Sequence, residues 1–376
     1  MTKLLILTAG FGEGHNAAAR NLATAGDSLH GPGTTQVVDL FALTSPRFNR
    51  FARRGYLAAI NRTPGLWSGF YRWVDRHEIF PRHLWLMRHE LRRLELLVQR
   101  EQPAVVCSTF PAYGFLLERL ARTGRLATPF YNVVTDSISI NSLWSRPACT
   151  GWFVPNEETA EVMRGQGVPT ARLHVLGFPV PTFFGEHVHD LAPPDLAAGA
   201  APRVLYIVHS GVRHAWATAR QLLGDTDWEL TFAVGRDERL RRRLERLAAE
   251  RRQPTQILGW TDEVPRLLMT HHVVISKAGG ATTQEAIAAR CPMLVNQVVP
   301  GQEEGNYELL RRRRVGALVE TPDAVVDALR QAFADQGAVW RQWRDALAPL
   351  ARPDASRAIA AQLLSRVAPP PVVATA

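Results

Sequence analysis

What the chain lacks narrows it first. No uninterrupted apolar run among its 376 residues reaches about 18, so no segment has the make-up of a bilayer-spanning helix. Cysteine is scarce: Cys107, Cys149 and Cys291 share no metal-like spacing and cannot all pair. That pattern implies reduced thiols in a cytosol. The opening "MTKLLILTAG" has a short apolar stretch and no small-residue cleavage site, so it reads as a strand rather than a signal peptide. Nor is there a bias toward disorder, since 46% hydrophobic and 21% charged residues describe a folded globular protein. The length suits two domains. Arg far outnumbers Lys within a formal charge of +9. Such a balance suits nucleic acid, nucleotides or an anionic membrane surface, but a GC-rich genome produces the same bias, so charge alone decides nothing.

Short β runs alternate with helical stretches throughout. "KLLILTA", "TTQVVDL", "PAVVCST", "PFYNVVT" and "GWFVPN" read as strands of the first half; "RVLYIVHS", "WELTFAVG", "TQILGW", "HVVISKAGG" and "CPMLVNQV" read as strands of the second. This alternation implies α/β architecture, with parallel sheets covered on both faces. Between the halves, "FPVPTFFGEHVHDLAPPDLAAGAAP" is proline-rich and has the composition of a linker. The expected organisation is a first domain at 1–180, a linker at 181–202, a second domain at 203–350, and a C-terminal helix and tail at 351–376. Two doubly wound domains would face one another across a cleft at the carboxyl ends of their strands, where ligands of such folds sit.

The loop "TAGFGEGHNAAARNL", residues 8–22, sets Gly10, Gly12 and Gly14 at alternate positions before His15. A dinucleotide fingerprint requires G-x-G-x-x-G, which this spacing misses. Asp39 ends the second strand but lies beyond the usual ~20 residues. The spacing does permit a tight bend that places His15 on the first turn of a helix. There the positive dipole end lowers proton affinity and keeps the imidazole neutral, as a general base must be. A capping histidine without chemistry is the alternative.

The second half supplies "ISKAGGATTQEAIAARCPMLVNQVVPGQEEGNYELL", residues 275–310. Gly279 and Gly280 allow backbone N–H groups to approach a phosphate at a helix N-terminus. Thr282 and Thr283 can cap that helix or donate to the same oxygens. Glu285, one turn in, suits the two hydroxyls of a ribose. Gln302, Glu303 and Asn306 open the next helix, where amides and a carboxylate suit the hydroxyls of a sugar.

The pair "GFGEGHNAAARNL" and "SKAGGATTQEAIAARCPMLVNQVVPGQEEGN" resembles the monogalactosyldiacylglycerol synthase and processive diacylglycerol glucosyltransferase family. The bacterial undecaprenyl-linked peptidoglycan N-acetylglucosaminyltransferase is a more distant relation. "NVVTD" (132–136), "VPNEETAEVMRGQGVPTARLHVLGFPV" and "GWTDEVPRLL" (259–268) extend the likeness over most of the chain. The resemblance implies a GT-B fold of two Rossmann-like domains, with the acceptor and membrane site in the first and the UDP-sugar site in the second. It also implies a single inverting displacement without a catalytic metal or other cofactor. Carried across by position, Gly279, Gly280, Thr282 and Thr283 would hold the diphosphate, Glu285 the ribose, and Gln302 with Glu303 the hexose; Gly12, Gly14 and Asn306 are counted with the UDP-sugar site. Trp260 would hold the base. His15 and Asp136 would face the reacting centre, and which of the two removes the proton is left open.

Two segments depart from the family pattern. "TDSISINSLW" has Ser137 after the aspartate, and Asn141 where a histidine would precede Trp144. Asn141 cannot carry a proton, so the acceptor assignment to this loop, Asn141 and Trp144 included, is where the likeness is thinnest. "YIVHSGVRHAW" replaces a glycine-rich turn, although Ser210, Gly211 and Arg213 could still hold phosphate.

Residues 45–94 mix arginines with Trp67, Phe70, Tyr71, Trp73 and Trp85. Basic residues beside amphipathic aromatics fit a surface resting on anionic lipid, the alternative being a buried aromatic face with solvated arginines. No nucleic-acid motif is present. "GDTDW", with Asp225 and Asp227, falls at the amino end of a strand and reads as a turn; "HVHD" (187–190) lies in the linker; "RRRR" (311–314) ends a helix where cations suit the dipole.

The expectation is a cytoplasmic enzyme, peripheral on the inner face of the cell membrane. It would move galactose or glucose from a UDP donor to diacylglycerol or a similar lipid. A polyprenol-linked or soluble acceptor, a UDP-sugar 2-epimerase, and a non-catalytic UDP-sugar binding protein are the alternatives.

Overall fold

The computed structural model describes residues 3–10, 13–44, 83–208, 214–299, 301 and 303–365. The first half builds a parallel sheet from β1 (Leu4–Thr8), β2 (Thr35–Asp39), β3 (Val105–Ser108), β4 (Phe130–Val133), β5 (Gly151–Val154) and β6 (Leu173–Val175), in the order β2-β1-β3-β4-β5-β6. The second half repeats the plan with β7 (Arg203–Ile207), β8 (Glu229–Ala233), β9 (Thr255–Leu258), β10 (Val273–Lys277), β11 (Met293–Gln297) and β12 (Ala317–Leu318), ordered β12-β11-β10-β7-β8-β9. All ten strands read from the sequence form. The additional two, β6 and β12, have only three and two residues, too few to show a period.

Both sheets are buried on both faces, so their strands are near-continuous apolar runs; β1 is Leu-Leu-Ile-Leu-Thr with every residue buried. After α1 (Glu13–His30) and the short α2 (Leu40–Thr44) come α3 (Arg88–Glu101) and α4 (Pro111–Arg122), on which one face of the first sheet packs. The other face packs on α1 and on a helix from the end of the chain. After α5 (Glu157–Gly165) and α6 (Phe183–His187), the second half contributes α7 (Ala215–Asp225), α8 (Glu238–Ala248), α9 (Val264–Thr270), α10 (Gly280–Ala288), α11 (Glu304–Arg312) and α12 (Pro322–Leu347). α12 is broken by non-helical backbone at 334–337. α13 (Ala355–Leu364) then returns to the first half, where Ile359, Ala360 and Leu363 join Leu4, Ile6 and Leu22 in one core cluster.

That return needs close passage. Gly177 has φ of +101°, and a Cβ there would stand 2.7 Å from Cβ of Arg352. Ser356 Oγ donates to the carbonyl of Val180 at 2.5 Å. The proline-rich stretch between the halves is packed rather than loose: Phe184 is fully buried in the second half's core, and the Pro194 carbonyl lies 2.9 Å from Nε2 of buried His272. Burying a side chain such as Phe184 is worth about 2 kcal/mol, which fixes the path of the chain between the sheets.

In each sheet the strand order reverses once, between β1 and β3 in the first and between β10 and β7 in the second. The His15 loop follows β1 and the Gly279–Gly280 loop follows β10. Each therefore lies at its sheet's switch point, where parallel sheets leave a crevice.

Candidate active site

The two switch-point loops meet. A Cβ on Gly14 would stand 4.0 Å from the backbone N of Ala281, and one on Gly280 would stand 3.3 Å from the carbonyl oxygen of Thr135. The start of α1 thus faces the start of α10, with the loop after β4 between them. Two helix N-termini aimed into one crevice concentrate positive potential there, because their first-turn N–H groups have no intrahelical acceptor.

His15 sits on the first turn of α1 and is held from two sides. Its carbonyl accepts from Thr109 Oγ1 at 3.1 Å, and its Nδ1 lies 2.9 Å from Thr135 Oγ1. Phe110 meets the imidazole edge-on at 5.3 Å between ring centres. The tautomer that donates Nδ1–H to Thr135 leaves the Nε2 lone pair for a proton. Thr109, Phe110 and Thr135 all escaped the sequence reading as positioning groups, although Thr135 stands inside "NVVTD".

Asp136 completes the pair. Burial draws the His15 imidazole below its ordinary value against the pull of the Asp136 charge. Burial also lifts the Asp136 carboxyl, opposed by His15 and by a hydrogen bond from Trp144. A neutral imidazole beside a carboxyl of raised proton affinity is the arrangement a proton acceptor needs.

Trp144 corrects one expectation. Placed by the sequence at the acceptor or membrane surface, it is fully buried, and its Nε1–H donates to Asp136 Oδ2 at 2.8 Å. Asn141 is also buried. Its Oδ1 accepts from the Leu143 N–H at 2.9 Å and its carbonyl from Trp144 N at 3.0 Å, making a side-chain turn that orients the indole. Trp152 Nε1–H donates to the Trp144 carbonyl at 2.7 Å and locks the arrangement. Both residues act on Asp136 from behind instead of meeting lipid.

The loop after Asp136 reaches into the second half. Ile138 takes φ of +54°, a left-handed conformation that a β-branched residue adopts only at a cost, and packs into the second half's core. Ser137 Oγ accepts from Gln284 Nε2 at 2.9 Å. Glu158 pairs with Arg313, one of the "RRRR" arginines, so that run is more than a solvated face. His187 of "HVHD" lies 3.7 Å from Asp190; among the described residues no three His, Cys, Asp or Glu side chains gather to hold a metal ion.

On the donor side, Gly279 is the N-cap of α10, and Thr282 is half-buried on its first turn. Thr283, expected to donate to phosphate, is fully buried with its hydroxyl toward Met293 Sδ at 3.8 Å. One residue turns the helix by about 100°, enough to send Thr282 toward the crevice and Thr283 into the core. Glu285 is half-buried, and burial pushes its carboxyl up to about 7 despite Arg20 across the gap. Glu303 is buried and engaged on both oxygens, Oε1 by Lys277 Nζ at 2.5 Å and Oε2 by the Val299 N–H at 3.0 Å. Asn306 donates from Nδ2 to the Ala278 carbonyl at 3.0 Å while its buried Oδ1 has no partner. Glu303 and Asn306, expected on sugar hydroxyls, here brace the loops that precede α10 and α11.

Trp260, expected to hold the base, projects from the loop after β9 with 71% of its surface exposed. Trp85 is 64% exposed beside the basic start of α3. Gly12, Ser210, Gly211, Arg213, Gln302, Trp67, Phe70, Tyr71 and Trp73 lie outside the described residues.

Comparison with known proteins gives a consistent placement. The profile of the family described as monogalactosyldiacylglycerol (MGDG) synthase matches residues 15–180. Processive diacylglycerol beta-glucosyltransferases of Bacillus cereus and Bacillus anthracis are each 26% identical over 361 residues, covering 94% of this chain and 90% of theirs. Among solved structures, Acinetobacter baumannii MurG superposes with a TM-score of 0.61 at 14% identity, over 96% of this chain and 99% of its own. The UDP-GlcNAc 2-epimerase of Neisseria meningitidis, bound to UDP-GlcNAc, does so with 0.59 at 12% identity, over 97% and 100%. The structural likenesses establish architecture alone, while the sequence relatives run nearly end to end. The two parallel sheets with their facing switch-point loops make this a GT-B fold, and in sequence the chain is similar to the monogalactosyldiacylglycerol synthases and the processive diacylglycerol glucosyltransferases.

Proposed function

We propose that the protein is an inverting glycosyltransferase that moves glucose or galactose from a UDP-sugar to the hydroxyl of diacylglycerol or a similar lipid at a membrane surface. The observation that carries this reading is the desolvated His15–Asp136 pair set opposite the N-terminus of α10. In the proposed step the acceptor oxygen attacks C1 of the hexose as the bond from C1 to the diphosphate oxygen breaks. UDP leaves with the bonding electrons, and the hydroxyl proton passes to the His15–Asp136 pair. Attack opposite the leaving group inverts the anomeric centre. First-turn N–H groups of α10 meet the charge that builds on the diphosphate, so the reaction proceeds without a metal.

The acceptor follows from the names of the relatives, which act on or make diacylglycerol glycolipids. A surface suited to lipid supports it. Trp85 and Leu86, 64% and 60% exposed, stand immediately before Arg88, Arg92 and Arg93 of α3. An amphipathic indole beside basic residues suits the headgroup level of an anionic leaflet. The fold alone does not separate transfer from epimerisation, since an epimerase shares it. A base positioned from the half opposite the nucleotide cradle favours transfer to a second substrate.

The test is incubation of the purified protein with labelled UDP-glucose or UDP-galactose and diacylglycerol in anionic liposomes, with EDTA present. Labelled glycolipid from one donor supports the reading and names the sugar. UDP-sugar binding without glycolipid from either donor overturns the diacylglycerol acceptor.

A further inference from the structure

Only two of the chain's 44 basic residues are lysines, Lys3 near its start and Lys277 at the end of β10. Lys277 occupies the last position before the Gly279–Gly280 turn, where its side chain can be redirected by an irregularity in the sheet. Ser276 pairs with Val295 but Lys277 pairs with Gln297, so Asn296 is an extra residue on β11 and the ladder is bulged at this point. Bulges of this kind re-aim a side chain beside a site. The lysine stem consequently runs beneath the glycine turn: a Cβ on Gly279 would stand 3.6 Å from Lys277 Cε and 3.8 Å from both its Nζ and Glu303 Oε1.

The ammonium and its partner differ in access. The Lys277 side chain is 30% exposed and that of Glu303 only 7%. Glu303 is fastened by the Val299 N–H as well as by Lys277, whereas Lys277 uses one donor on Glu303 and has three. The mobile member of the pair is therefore the cation, and the phosphate-binding turn lies directly above it.

We propose that Lys277 is the cation that binds the donor diphosphate, and that it exchanges Glu303 for the phosphate when the donor enters. Glu303 Oε1 holds the ammonium beneath Gly279. On donor binding the ammonium turns to a phosphate oxygen at the start of α10, which releases Glu303 Oε1 to accept from a hexose hydroxyl. The exchange reconciles the braced Glu303 of this structure with a sugar-binding role, and it supplies a full positive charge where backbone N–H groups supply only partial ones. A lysine suits the task better than arginine, because a guanidinium would grip the carboxylate with two parallel bonds. This inference rests on the proposed function only in placing a nucleoside diphosphate at α10.

The experiment is calorimetric titration of uridine and UDP into the wild-type protein, Lys277→Met and Glu303→Gln. Lys277→Met is expected to bind uridine within about twofold of wild type and UDP at least tenfold more weakly, the loss expected for a charge-assisted bond. Glu303→Gln keeps an acceptor for Val299 but no longer competes for the ammonium, so its affinity for UDP should rise. Wild-type UDP affinity in Lys277→Met with uridine binding intact would overturn the proposal. Should Lys277→Met lose uridine binding and fold together, Glu303→Gln decides: tighter UDP supports the exchange, and unchanged or weaker UDP overturns it. Failure of the wild-type protein to bind UDP at all would instead sink the proposed function.

Discussion

The indole N–H of Trp144 donates to Oδ2 of Asp136 at 2.8 Å, from a side chain that is wholly buried. This bond stabilises the ionised carboxylate and opposes the upward push that burial gives Asp136. Trp144→Phe keeps most of the packing and removes the donor. Asp136 should then hold its proton to higher pH, and the acidic limb of the rate profile, which belongs to the His15–Asp136 pair, should move up in pH. A fall of about tenfold in kcat at neutral pH should accompany it. The pH–rate profile of the variant is the check; an unmoved acidic limb would remove Trp144 from the account.

A second close relationship joins the halves. A Cβ on Gly305 would stand 1.8 Å from the carbonyl oxygen of Ser137 and 2.6 Å from the N of Ser139. Both obstacles are backbone, so Gly305→Ala must push the 136–141 loop away from α11 and carry Asp136 with it. Displacement of a catalytic group by about 1 Å can cost 10²-fold in rate. The variant should bind UDP normally and transfer sugar about a hundredfold more slowly. Wild-type transfer by Gly305→Ala would show that the loop position is immaterial.

The second half should lose stability in mild acid. His271 is buried, with Nδ1 2.7 Å from the Leu267 carbonyl and Nε2 2.9 Å from Thr231 Oγ1, and burial pulls its pKa to about 4. The unfolded chain protonates this histidine near 6.5 and the folded chain only near 4, so the unfolded state binds more protons between those values. The stabilisation is complete above pH 6.5 and is lost as pH falls toward 4, on the order of 3 kcal/mol in all. Buried His272, also pulled down by burial, acts in the same direction. Thermal melts should show Tm falling from pH 7 to pH 5, with a shallower fall in His271→Gln. Equal slopes for the two proteins would contradict the assignment.

Membrane attachment should depend on the exposed turn before α3. Replacing Trp85 and Leu86 by serine removes apolar area worth about 1.5–3 kcal/mol per side chain when fully buried. Sedimentation with phosphatidylglycerol vesicles should show partitioning reduced about tenfold or more, while a detergent-dispersed acceptor is still turned over. Unchanged sedimentation would place the lipid contact elsewhere.

Much of this was legible in the sequence because it is carried by local pattern. The strands of both sheets are apolar runs between glycines, prolines and polar residues, and the two glycine loops with His15, Thr282 and Glu285 stand where strand ends and helix starts must put them. What escaped was decided by distant partners. Trp144 stands in a loop whose sequence pattern assigns it to the acceptor, and only the Asn141 turn and Trp152 bury it against Asp136. Thr282 and Thr283 are the same residue type, a third of a turn apart, one half-buried and the other in the core. The ion pair between Lys277 and Glu303 joins the end of one strand to a loop 26 residues later, and α13 finds α1 across more than 300 residues. No periodicity records contacts of that span.

The central claim is that the His15–Asp136 pair takes the acceptor's proton opposite the nucleotide cradle. The most direct measurement is the single-turnover rate of glycolipid formation by His15→Ala, with UDP affinity measured on the same preparation. The account predicts a rate lower by roughly 10²–10⁴ with UDP binding unchanged. A rate within a few-fold of wild type, at equal UDP affinity, would contradict it.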